Sequence, residues 1–178
     1  MISKISKINR IVLLITICFF GCIQSCGIYN FSGASTGTAE SFQVNFFQNY
    51  ADQSPGSTIE PQLDRDFTNA LQDLIANLTS LSLTSNGGDL VYEGEIVEYR
   101  VSPMSASANQ TAAQNRLTIT VNVRFFNTTK ADSDFEKRFS FFFDFPGTSL
   151  LENVKSEAHE VIFERITQDI FNASLADW

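Results

Sequence analysis

Two successive runs constrain this chain more than anything else in it. Leu117, Ile119, Val121, Val123 and Phe125 alternate with Thr118, Thr120, Asn122 and Arg124; then Phe135, Phe139, Phe141, Phe143 and Phe145 recur with period two against Glu136, Arg138, Ser140, Phe142 and Asp144. Neighbouring side chains on a strand point to opposite faces, so each run has one apolar and one mostly polar side. Residues 128–134 turn the chain between them, as in an antiparallel sheet covered on a single side.

Two helices with apolar stripes supply the cover. Leu63, Phe67, Ala70, Leu71, Leu74, Leu78 and Leu81 recur at helical spacing with Asp64, Arg65, Asn69, Gln72 and Asp73 opposite. Thr58 and Glu60 before Pro61 predict the start of that helix. Leu151, Val154, Ala158, Val161, Ile162, Ile166 and Ile170 make a second stripe, which Ser149 and Glu152 are expected to open with a capping box.

Two earlier strands complete the pattern. Phe42, Val44 and Phe46 alternate with Gln43, Asn45 and Phe47. After the turn Asn86-Gly87-Gly88-Asp89 a long strand puts Leu90, Tyr92 and Ile96 on one face, then Val97, Tyr99 and Val101 on the other. Either a bulge near residues 94–97 or a strand leaving the sheet explains the change. The order is β-α-β-β-β-α, an α+β fold with a four-stranded, mostly antiparallel sheet and two helices on one face. Residues 103–115, rich in Ser, Ala, Asn and Gln, read equally as a plain hairpin connection or as a projecting binding loop.

Ahead of this domain, Lys4, Lys7 and Arg10 precede a mostly apolar run over residues 11–23, the length of a signal-peptide core and too short to span a bilayer. We read residues 1–25 as a lipoprotein signal peptide and residues 26–178 as one domain with a lipidated N-terminus at Cys26. Cys22, after Gly21, is the alternative acceptor. Acyl chains on that cysteine would anchor the chain to a membrane without protein insertion. The remaining cysteine is Cys18, so the folded part has no internal disulfide to form.

Charge and motifs narrow the function. Three of the 12 basic residues but none of the 20 acidic ones lie in the leader, so the chain from Cys26 onward carries −11 against −8 for the whole. Such a chain repels phosphate backbones, and no nucleic acid is expected as a partner. His159 is the only histidine, is expected to be solvated among Glu157, Glu160 and Glu164, and rules out catalytic sets needing two histidines. Phosphate loops, cysteine pairs and nucleophile elbows are missing, so neither an enzyme nor a cofactor or metal is expected. Carboxylate pairs such as Glu93 with Glu95 read as solvated surface. Phe47, Phe126 and Phe142 share outward parity with Thr118 and Arg124. They are either partly covered by loops or form an aromatic contact surface.

The mature start, Cys26-Gly27-Ile28-Tyr29-Asn30-Phe31-Ser32-Gly33-Ala34-Ser35, resembles the LptE family, the lipopolysaccharide-assembly lipoproteins of the Gram-negative outer membrane. The run from Thr111 to Ile119 and the ending Asp169-Ile170-Phe171-Asn172-Ala173-Ser174 resemble it too. The resemblance implies a lipid-anchored protein on the periplasmic face of the outer membrane. Such a protein partners and plugs an LptD-like β-barrel, and helps lipopolysaccharide reach the cell surface. Asn109, Thr111, Asn115 and Arg116 would be contact residues of the connecting segment. Direct contact with polyanionic lipopolysaccharide needs a local basic patch, for which Arg124 and Arg138 are candidates; alternatively each pairs with a neighbour such as Glu136 or Asp144. The alternative function is a periplasmic lipoprotein module that binds glycan or another ligand without a barrel.

Overall fold

A computed structural model describes residues 35–104 and 114–176. The expected leader and Cys26 lie outside these residues. The described elements are β1 (Ser41–Val44), β2 (Gln48–Asn49), α1 (Leu63–Leu78), β3 (Ser82–Leu83), β4 (Leu90–Met104), β5 (Gln114–Asn127), β6 (Phe135–Pro146) and α2 (Leu151–Leu175). They build one sheet in the order β3-β1-β4-β5-β6, with β2 following β1 along the same side of β4.

The α+β class and the two helices agree with the sequence; the sheet does not. It has six strands among the described residues rather than four, and it is mixed. β4, β5 and β6 form an antiparallel meander, whereas β1 and β2 run parallel to β4 and β3 runs parallel to β1. The crossover through α1 carries the chain back to the end of the sheet where β1 began, which makes the pairing with β4 parallel. Two of the strands are two residues long, too short to leave a periodic trace.

The expected first strand is in fact broken. Val44 stands opposite Tyr92, but Gln48 stands opposite Glu95. Four residues therefore pass three, and the side chains change faces. Phe47 goes fully into the core and Phe46 is exposed, the reverse of the expected parity. In β4 the bulge is real: Ile96 pairs with Val121 and Glu98 with Thr120, leaving Val97 as the extra residue. It returns Tyr99 to the face of Tyr92 and Ile96, so one side of the strand is buried from Leu90 to Tyr99.

That side carries Leu90, Tyr92, Ile96 and Tyr99 from β4 and Leu117 to Phe125 in alternation from β5. Phe139 and Phe145 of β6 add to it. α1 covers it with Leu63, Phe67, Leu71 and Ile75, and the ring of Phe67 meets Phe47 and Phe163 edge-on at 5.1 and 5.5 Å. α2 adds Ala158, Ile162, Phe163, Ile166, Ile170, Phe171 and Leu175, while Val161 is exposed rather than part of the stripe. Tyr92, otherwise enclosed, keeps its hydroxyl 2.9 Å from Ser174 Oγ, tying β4 to the last turn of α2.

Both expected helix starts shift. α1 begins two residues past Pro61, after Gln62 in the left-handed region at φ 67°, and the Gln62 side chain makes no capping hydrogen bond. α2 begins after Leu150 without a side-chain cap, so the Ser149–Glu152 box does not form. The Glu152 carboxylate takes Lys155 instead.

Candidate interaction surface

Among the described residues no helix covers the second face of β4, β5 and β6, and its side chains are tied to one another across the strands. Registered pairs set the neighbours: Arg116 lies opposite Asp144, Thr118 opposite Phe142, Asn122 opposite Arg138, and Glu95 opposite Asn122. Arg116 donates from Nε and Nη2 to the two oxygens of Asp144, each at 2.7 Å, and its guanidinium stacks 3.5 Å above the Phe142 ring. Those two bonds hold the Asp144 carboxyl below the usual carboxylate range. Arg124 donates to Glu93 at 3.0 Å and to Glu95 at 3.1 Å. Asn122 bridges Glu95 and Glu136, and Thr120 donates to Glu98. Side chains already fixed this way lose little freedom when something docks on them.

This ladder decides several expectations. Phe126 and Phe142 are on the uncovered face, with 41% and 40% of their surface exposed. Phe47 is not: it is a core residue, because of the register slip between β1 and β2. Arg124 is engaged, though by Glu93 and Glu95 rather than by Glu136 or Asp144. Arg138 has no acidic partner among the described residues, and it lines a cleft of about 550 Å³ with Lys137, Ser140, Asp169 and Asn172. Asn115 and Arg116 belong to β5, paired with Pro103 and Ser102, so the connecting segment is shorter than expected. Asn109 and Thr111 lie outside the described residues.

His159 is the residue the sequence misplaced. It is half-buried, not solvated: its Nε2 lies 3.1 Å from Tyr99 Oη, and its ring stacks on Phe163 at 5.4 Å. Burial lowers its pKa, with Glu60, Asp66 and Glu152 pulling the other way. The signal was present in the sequence, since Phe163 is one turn further along the helix and Tyr99 has inward parity once the bulge is allowed. Beside it a cleft of about 600 Å³ is lined by Glu60, Asp66, Glu152 and Lys155, where Lys155 bridges Glu60 at 2.8 Å and Glu152 at 3.0 Å. Among the described residues no cluster of histidine and carboxylate side chains is arranged to hold a metal ion.

The family model described as lipopolysaccharide-assembly, LptE, matches residues 39–174. The chain belongs to the LptE family. That stretch takes in every described strand and all but the last residue of α2. LptE membership places the protein in lipopolysaccharide assembly at the level of the family. No curated protein matches the sequence. Among solved structures it is similar to a minor lipoprotein from Acinetobacter baumannii at 12% identity, over 75% of this chain and 91% of that one, with a TM-score of 0.44. The rare lipoprotein B from Shewanella oneidensis gives 11%, 74%, 89% and 0.41. PelC from Paraburkholderia phytofirmans gives 10%, 81%, 93% and 0.44. At these scores the likenesses carry no functional argument.

Proposed function

We propose that this LptE-family chain is an outer-membrane lipoprotein, anchored through acylated Cys26 on the periplasmic face, that partners and plugs an LptD-like β-barrel and helps lipopolysaccharide reach the cell surface. The observation that carries the reading is the family match over residues 39–174. The uncovered sheet face supports it. The lumen of an outer-membrane barrel is polar, and the fixed ladder of Arg116, Asp144, Arg124, Glu93 and Glu95 is a surface of matching character. Arg138, the one arginine of this ladder with no acidic partner among the described residues, is the position for contact with a lipopolysaccharide phosphate; Arg124, held between two glutamates, contributes less.

Depletion of the protein in its own cells tests this. Surface lipopolysaccharide should fall as the chain is depleted, and Cys26→Ala should fail to restore it. Normal surface lipopolysaccharide without the chain would overturn the reading.

A further inference from the structure

Of the 13 asparagines in the chain, only Asn86 precedes a glycine. It stands in the turn before β4, where Ser85, Asn86 and Gly87 are exposed and Gly88 is buried. Gly87 has φ 70°, in the left-handed region that favours glycine, and a Cβ built on it would meet nothing within 4 Å. Neither the Gly87 amide nor the Asn86 side chain has a hydrogen-bond partner among the described residues. The bonds of Asn86 run between its backbone and Thr84 Oγ1, at 3.0 and 3.4 Å. By contrast, Asn45, Asn49, Asn122, Asn127 and Asn172 all have their side chains held by hydrogen bonds.

These are the conditions for an internal reaction. An exposed, untied side chain moves freely among its rotamers, and the amide nitrogen of the next residue is one ring closure from its carbonyl carbon. A side chain on that next residue crowds the approach; glycine has none. When the Gly87 amide gives its proton to hydroxide, its nitrogen attacks Asn86 Cγ. The N–Cγ bond forms, the Cγ–Nδ2 bond breaks, and Nδ2 departs as ammonia with a proton taken from water, which regenerates the hydroxide. Water then opens the succinimide at either carbonyl. Opening at Cγ leaves aspartate; opening at the main-chain carbonyl leaves isoaspartate, whose backbone runs through Cβ and Cγ.

The turn is tied down on its far side. The Asp89 carboxylate accepts from the amides of Glu40 and Ser41 and from Ser41 Oγ at 2.9–3.0 Å, and its main-chain carbonyl accepts from the Thr128 amide. Gly88 is packed so closely on β1 that a Cβ there would lie 2.8 Å from Gln43. Gly88 has no room to take up an extra backbone carbon at position 86, so the strain passes to the joint between β1 and β4. The new carboxylate also lands in a stretch without charge, since residues 74–88 and 41–51 have no charged side chain in a chain with 32 of them.

We propose that Asn86 is a site of spontaneous deamidation, selective among the asparagines of the chain, and that its isoaspartyl product loosens the joint between β1 and β4. The inference is independent of the barrel partnership.

The test ages the purified, lipidated chain in detergent at mildly alkaline pH, well below its melting temperature. Beside it run the free peptide Thr84–Leu90 and the variant Asn86→Gln, whose longer side chain has a larger and slower ring to close. Intact mass should rise by about one dalton, peptide fragmentation should place the gain at position 86, and the rate should climb with pH. Asn86→Gln should slow the gain by about tenfold or more. The aged fraction, separated by its added negative charge, should melt a few degrees lower. A folded chain that keeps asparagine at 86 while the free peptide reacts, or a gain found first at other asparagines, would overturn the site. An isoaspartyl fraction that melts with the fresh protein would overturn the loosening.

Discussion

The ring of Phe47 occupies the space that a side chain on Gly94 would need: a methyl group built on Gly94 lies 2.8 Å from Phe47 Cε1 and closer still to the carbonyl oxygen of Asn122. The one-residue slip between β1 and β2 turns Phe47 inward, and glycine in β4 is what lets it settle there. Gly94→Ala should therefore destabilise the domain by about 3 kcal/mol through overpacking. Chemical denaturation measures this directly. A wild-type midpoint would show that the strands give way more easily than their packing implies.

His159 makes stability depend on pH in a defined direction. Its folded pKa is held below the ordinary 6.5 by burial, so on acidification the unfolded chain takes up the proton first. Stability should fall as pH drops through 6.5 and level off below the folded value. His159→Gln should flatten that part of the curve, and Tyr99→Phe should cost about 1 kcal/mol at pH 7.5 by removing the hydrogen bond. Thermal melts across pH 5–8 give both quantities. An unchanged slope in His159→Gln would assign it to other groups.

β6 is the last strand of the sheet among the described residues, and Lys137 interrupts its inward row of phenylalanines opposite Val123. A charge pointing inward on an edge strand discourages pairing with another chain. Lys137→Val should fold and then associate, visible as a concentration-dependent increase in mass by light scattering. A variant that stays monomeric up to high concentration would remove this role from Lys137.

The Arg116–Asp144–Phe142 contact separates stability from partnership. The pair is about 30% exposed and salt-screened, so Arg116→Ala with Asn115→Ala should cost no more than about 1 kcal/mol. Barrel recovery should fall well beyond that, because a stacked, pre-fixed arginine is the kind of group on which interfaces depend. Large destabilisation with undiminished recovery would make the contact purely structural.

Regular repetition was legible in the sequence, and broken repetition was not. The alternation from Leu117 to Phe125 fixed β5 and its uncovered face, and the change of parity after Ile96 announced the bulge at Val97. The slip at residues 45–47 left no such mark, because each half of the broken strand is too short to show a period. Phe47 was consequently placed outside when it lies in the core. Asn115 and Pro103 looked like loop because polar and proline residues at a sheet's end do not alternate in hydrophobicity, although they pair. The partners of Arg124 were missed for another reason: Glu93 and Glu95 come from β4, and their approach depends on a strand pairing that local sequence does not encode.

Quantitative co-purification of the native, lipidated chain from detergent-solubilised envelopes tests the central claim most directly. We expect one β-barrel protein recovered at one copy per copy of this chain, retained at high salt, and reduced by Arg116→Ala with Asn115→Ala. Recovery of the chain alone, or with only substoichiometric and salt-sensitive partners, would contradict the account.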